Sequence, residues 1–382
     1  MPGMRGSVVE LDLVLAGSAA AGAYGAGALD LIMEAVGCLD TAREEEPDRF
    51  PGPDIRLKPR AATPAGALSL AALARDPDTS PRKVLLSTWS KELDPRDALG
   101  FAGGRARTPG TLRLFDPDCL RPLLAGWTGD SASRPDGAAA DLTLTIRIDP
   151  AQDHGEPSSR RSNGVAALLL PAMRTAPEPA ISVSDYWIFP ERSQRPGVAL
   201  RPALASTVLE GYGGYLDADF RAHDFALGRR NAQRFLARHL TLPSHHPLVA
   251  DWSEALDREF GVWPRGIAPV GAAPFRPLVP LTGTAAVVRP LPGWPSIDRR
   301  ILRRLDPLIA ARIEGIAREA ADQFLGDSMW RPLVRFVIAG RKRQVARETR
   351  AALEQMLDAN GQIASSTTRG LKRWFSRRAK AV

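Results

Sequence analysis

The sequence predicts an α/β fold, a core built on a mostly parallel sheet and followed by a helical C-terminal region. Three observations carry that reading. The first 75 residues alternate strand, Gly-rich loop, helix, strand, tight turn, helix, the order that builds parallel sheets. Residues 141–148, DLTLTIRI, alternate apolar and polar side chains as a strand does. From Ile297 onward the period is wholly helical, with Ile301, Leu305, Leu308, Ile309, Ile313, Ile316, Ala320 and Phe324 on one stripe.

Taken in order, residues 11–16 (LDLVLA) read as a short buried strand and GSAAAGAYGAG as the turn after it. A helix follows to about residue 37, with Leu29, Ile32, Met33 and Val36 on its apolar face. Residues 43–53 are acidic, then Pro-rich, and predict a surface excursion. Residues 54–61 predict a second strand, and AATPAGALSLAALA turns into a second helix. Gly, Pro, Ser and Asp mark loops at 102–110 and 129–140, and 150–164 is polar. Further strands are expected at 165–170 and 181–189, and helical spacing runs from Asp217 to Leu240. The organisation expected is a core at 8–240, a Pro-rich linker or wrapping segment at 241–295, a helical region at 296–360 whose second helix spans about Trp330 to Leu357, and a basic tail at 361–382.

Composition narrows the function. With 44% hydrophobic and 25% charged residues, the 382-residue chain is ordinary globular material, long enough for a sizeable core. Two cysteines, Cys38 and Cys119, exclude a disulfide scaffold, and the five histidines fall in no metal-ligand spacing. Neither a metal nor a cofactor is expected, and cysteine usage points to a reduced, cytoplasmic setting. The apolar stretch Leu13–Leu39 is interrupted by Asp30 and Glu34, so it does not predict a membrane span. Glu10 and Asp12 precede it where a signal peptide would be basic. Net charge is +8, but residues 331–382 alone carry 13 Lys+Arg against 3 Asp+Glu. Basicity confined to one end argues against a body-wide nucleic-acid surface.

A Gly-rich loop between strand and helix exposes backbone N–H groups at a positive helix end, where an anion or oxyanion can sit. Gly17 and Gly22 have the spacing of a phosphate-binding loop, but Ala23 and Tyr24 replace its Lys and hydroxyl. The order Gly22, Gly25, Gly27 is not that of a dinucleotide fingerprint. An oxyanion loop and a purely structural turn remain.

Leu13–Leu29, LVLAGSAAAGAYGAGAL, resembles the opening of the patatin-like phospholipases, a family of lipid acyl hydrolases with a three-layer α/β/α core. The resemblance implies that this loop is the oxyanion loop. Gly17 and Gly22 match the family pattern, Ser18 and Ala19 stand where glycines are usual, and Ala21 where a cation is usual. The family's nucleophile lies in G-x-S-x-G at a strand-to-helix elbow. Here that place reads Ala62-Thr63-Pro64-Ala65-Gly66. Pro64 holds the nucleophile position, and proline has neither hydroxyl nor N–H. Ser69 lies inside the expected helix, and Gly129-x-Ser131 lacks the final glycine, so neither restores the motif. The family's second catalytic residue is an Asp followed by Gly. The one Asp-Gly pair, Asp136-Gly137, precedes the 141–148 strand, where a turn is the simpler reading, and Asp149 and Asp153 lack the glycine.

Residues Gly211–Leu236 resemble a block of bacterial patatin-related proteins. The block reads as a helix with an internal polar face bearing Arg221, His223, Asp224, Arg229, Arg230 and Asn231. A packed polar network is the expectation. Neighbouring residues on a helix point about 100° apart, so His223 and Asp224 are not expected to meet, and Arg229 and Arg230 keep phosphate or ligand contact open. Gly228 inside this helix predicts a close backbone approach. In the tail, Arg369, Lys372, Arg373, Arg377 and Arg378 interleave with Leu371, Trp374 and Phe375, a pattern suited to an anionic lipid surface. A solvated tail, an acidic protein partner and nucleic acid are the alternatives. The reading is a patatin-like protein that has lost acyl hydrolase activity and keeps a lipid-, membrane- or protein-binding scaffold. An active hydrolase on unidentified residues and a purely structural protein compete with it.

Overall fold

A computed structural model describes residues 7–17, 19–91, 93, 99, 101–102, 105–106, 140–150, 185–195, 198–208, 211–263, 273–325 and 331–364. The architecture is α/β with a parallel four-stranded sheet, an arrangement compatible with three α/β/α layers. Strands β1 (Val8–Leu15), β2 (Asp54–Ala61), β5 (Leu142–Ile148) and β6 (Asp185–Ile188) pair in the order β2-β1-β5-β6, every pair parallel. Between them, β3 (Phe101–Ala102) and β4 (Arg105–Ala106) make a two-residue antiparallel ladder. The expected strand at 165–170 lies outside the described residues, as do Cys119, Asp136, Asp153 and the tail from 365.

Leu11, Leu13 and Leu15 of the inner strand β1 are fully buried. At its other edge, β2 tolerates Pro59 because no further described strand needs that N–H. Lys58 and Arg60 of β2 pair with Glu10 (2.5 Å) and Asp12 (2.9 Å) of β1.

The helices are α1 (Gly22–Glu45), α2 (Pro64–Arg75), α3 (Pro81–Lys91), the single turn α4 (Gly213–Leu216), α5 (Ala218–Arg238), α6 (Glu254–Phe260), α7 (Arg299–Arg303), α8 (Asp306–Leu325) and α9 (Arg331–Ala359). Helix α1 runs eight residues past the expected end. Its buried face stops at Leu39, but the Ala, Arg and Glu that follow favour helix, and Arg43 ties the last turn to the Pro53 carbonyl at 2.8 Å. Helix α1 is long and apolar enough to cross a membrane by composition, yet 78% of its apolar window is buried inside the protein.

Helices α1 and α5 make the closest seam. A β-carbon at Gly27 would fall on the Phe225 carbonyl, and one at Gly228 on the Tyr24 carbonyl, so only glycine lets these backbones meet. This is the close approach that Gly228 predicted.

Within 241–295, β7 (Thr241–Pro243) pairs antiparallel with β8 (Phe275–Pro277). Buried Arg276 grips Asp257 with two hydrogen bonds of 2.7 and 2.6 Å. It also donates to the Ser244, Val249 and Ala250 carbonyls. The single stripe expected from Ile301 to Phe324 is broken. Pro307 cannot continue the hydrogen bonding of α7, so α8 restarts with it in the first turn. Ile309, Ile313 and Ile316 of α8, with Ala346, Leu353 and Leu357 of α9, lie buried in the core. Arg350 joins these two helices to Asp306 at 2.7 Å.

Candidate functional site

The two βα turns lie side by side at the carboxyl ends of β1 and β2. Gly17 leaves β1 at φ +143°, a conformation that favours glycine, and packs on Pro150 beyond β5. A single 3-10 turn, Ala19–Ala21, leads into α1, and Ser18 is outside the described residues. The Ala20 N–H is already committed to the Gly211 carbonyl at 3.1 Å. Gly22 sits under the Trp89 indole, where a β-carbon would overlap the ring.

At the second turn the Ala62 N–H donates to the Leu15 carbonyl at 2.9 Å. Thr63 caps α2 by accepting the Gly66 N–H at 3.4 Å, and exposed Pro64 takes the first helical position. Proline suits that position because the N–H it lacks has no intrahelical partner there. Gly66 crowds the Leu15 carbonyl, leaving no room for a side chain. The geometry is that of a tight elbow, and the residue presented at its tip carries no nucleophile. Ser69 is buried one turn along, and its hydroxyl accepts the Trp89 indole N–H at 3.0 Å.

The Gly211–Leu236 block packs directly on the first turn. Gly214 touches Ala20 so closely that it has no room for a β-carbon. Arg221, 3% exposed, donates to the carbonyls of Trp89, Gly214, Ser90 (2.9 Å) and Leu93 (3.2 Å). Its charge lies at the C-terminal end of α3, where a cation complements unpaired carbonyls. Asp224 accepts the Ala205 and Ser206 N–H groups at 2.7 and 2.9 Å, pinning the segment before α4.

His223 and Asp224 do meet, against expectation. His223 Nδ1 lies 2.9 Å from Asp224 Oδ1. The Cβ directions diverge, but both side chains are long enough to swing together, and the two backbone donors hold the carboxylate where the ring reaches it. The pair is shut in, at 4% and 0% exposure, with Trp294 edge-on to the imidazole at 5.1 Å. That burial fits a structural pair.

Arg229 contacts Asp30 and Glu34 of α1 and leaves no charge for a phosphate. Burial, with the Arg289 cation nearby, pushes its guanidinium down to about 10. Arg289 and the Thr284 hydroxyl share Glu34, and Gln233 binds the Ala285 and Val287 carbonyls, so the 283–289 stretch is tied across α1 and α5. Arg230 donates to the Ser193 carbonyl at 3.2 Å, and burial lowers its pKa. With its amide turned to satisfy both partners, Asn231 pairs with the Glu191 backbone at 2.8 and 3.0 Å.

The two turns and the polar block are therefore one unit, and Trp89 is its hub. Sequence reasoning did not single out Trp89. The signal was present in the spacing Val84, Leu85, Thr88, Trp89, one buried helix face. Among the described residues no His, Cys, Asp and Glu cluster could hold a metal.

No family model matches the chain, and no solved structure matches it. A curated protein of Sinorhizobium fredii (strain NBRC 101917 / NGR234), "Uncharacterized protein y4iI", is 32% identical over 162 residues. That match covers 42% of this chain and 23% of the relative, so the chain spans less than a quarter of that protein's length.

Proposed function

We propose that this chain is a patatin-like protein that has lost lipid acyl hydrolase activity and keeps its scaffold for binding at an anionic lipid surface. One observation carries the loss. The elbow beneath the Gly17–Gly22 loop presents Pro64, which has no hydroxyl to attack a carbonyl. The Ala20 N–H, a donor such a loop would offer an oxyanion, is spent on Gly211. The test is labelling with a fluorophosphonate probe alongside p-nitrophenyl ester hydrolysis. No adduct and no turnover above heat-inactivated protein are expected. Turnover abolished by Ser69→Ala or Ser131→Ala would establish the competing reading, an active hydrolase. Pro64→Ser alone is expected to stay inactive, since a serine without its base is a poor nucleophile. Activity in that variant would make Asp136 the first aspartate to examine.

A specific observation favours lipid contact over a purely structural role. The parallel bridge between Ile297 and Ile363 brings Ala364 beside the start of α7. Arg299, Arg300, Arg303 and Arg304 are all exposed there. The basic tail with Trp374 and Phe375 continues from the same point in the sequence. Cations and insertable aromatics together suit an anionic bilayer better than nucleic acid.

A further inference from the structure

We propose that a second, separate site lies beside the end of α5, a cleft that binds a small amphipathic anion with an aromatic body. The cleft encloses about 1130 Å³, enough for a ligand of drug-like size. Its walls are aromatic: Tyr186 and Trp187 of β6, Phe189, Phe235 of α5, Phe260 and Trp263. These walls are held in place before any ligand arrives. Tyr186 meets Phe235 edge-on at 6.0 Å, and Gly261 lies so close to Ala273 that a β-carbon there would overlap it. Preformed aromatic walls favour a flat apolar body, through area burial and through offset or edge contacts between rings.

The charge at the rim fixes the sign of the ligand. Two carboxylates face the cleft, and both are engaged. Glu191 lies 3.6 Å from Arg234, and Glu259 is bound by Arg49 at 3.0 Å. Arg49, which also holds Glu46 at 3.1 Å, stands outside the cleft, and the lining charge left without a counter-ion among the described residues is a cation. Arg238 is exposed and has no ion-pair partner among the described residues. His239 is exposed beside it, its ring stacked on Phe235 at 6.2 Å. A carboxylate or sulfonate at the mouth would meet Arg238 while its body lies against Phe235 and Trp187. Exposed Phe189, at 47% relative exposure, adds an apolar surface at the same opening. The site shares no residue with the two βα turns and stands whether or not they catalyse.

The test titrates the full chain with anilinonaphthalene sulfonate and reads energy transfer from tryptophan. Saturable one-to-one binding is expected, with naphthoate displacing the probe and naphthylmethylamine, a cation of the same body, failing to do so. Arg238→Glu should weaken binding about tenfold through loss and reversal of the charge contact. Phe189→Asp should weaken it by a similar factor by placing a like charge at the mouth. Both side chains are exposed, so melting temperatures should not move, and Arg238→Gln provides a milder check of the same contact. Non-saturable binding, affinity unchanged in both variants, or equal displacement by the amine would each overturn the proposal.

Discussion

Helices α5 and α7 use arginine in opposite ways. In α5, Arg221 and Arg229 are buried, and they tie together backbone or carboxylate groups of other elements. In α7 and the residue after it, four arginines stand exposed, and among the described residues only Arg299 approaches a carboxylate, Asp358 at 3.8 Å. Buried guanidinium groups persist only where their donors are satisfied, so those of α5 hold the fold together. Exposed, unpaired ones add little to stability, so those of α7 are available to a partner. The same side chain thus reads as architecture where α5 buries it and as surface chemistry where α7 exposes it.

The largest expected effect comes from breaking the seam on which α5 rests. In Gly228→Leu the new side chain would strike the Tyr24 backbone, which cannot move without displacing α1 from the sheet. A loss of about 3 kcal/mol or more is expected. Denaturant unfolding monitored by circular dichroism measures it, and a wild-type midpoint would show that the two helices do not approach this closely.

The next effect sharpens the role of Arg221. Arg221→Leu leaves four buried or half-buried carbonyls without their donor and should cost about 3–5 kcal/mol. Arg221→Lys restores the charge but not the planar fork, and one ammonium cannot reach all four acceptors. It should recover less than half of the loss. Full recovery by lysine would mean that charge at the end of α3, and not the geometry of the fork, is what matters.

How much of this could be read from the sequence differs between the two regions. The first two strands and the tight turns between strand and helix were legible because their signals are local: a strand period, a Gly-rich loop, and a Thr-Pro helix start at Thr63 and Pro64. Gly228 was legible too, since glycine inside a helix implies a close approach. What that glycine approaches was not, because the contact with Tyr24 spans about two hundred residues of sequence. The His223–Asp224 contact was missed for a related reason. Helix geometry gives the direction of each Cβ, while the position of the Asp224 carboxylate is set by Ala205 and Ser206, which lie in another segment. Trp89 was overlooked because its function as a hub exists only once α1, α2 and α5 surround it. In α7 the arginines were passed over as part of a longer helix. Their exposure became visible only when the break at Pro307 separated them from α8.

The smallest effect on stability should come from α7, and there the comparison becomes a test of function. Arg300, Arg303 and Arg304 share one helix face by their spacing, opposite the buried Leu302. Arg300 lies near the start of this one-turn helix and Arg304 just past its end, so their effects on its dipole oppose each other. Replacing Arg300 and Arg304 by Glu should therefore leave the melting temperature within the roughly 0.5 kcal/mol range of surface changes. Binding to phosphatidylserine-containing vesicles should drop, because each basic residue near an anionic bilayer contributes about 1 kcal/mol and the substitution reverses two. Deleting residues 369–382 should lower the same binding further, again without a change in melting temperature. Both losses should shrink as salt rises, since the attraction decays over a Debye length of about 8–10 Å. Vesicle binding untouched by the double reversal but abolished by the truncation would confine the lipid contact to the tail. Intact protein that ignores anionic vesicles at low salt while retaining duplex DNA would assign the α7 surface to nucleic acid.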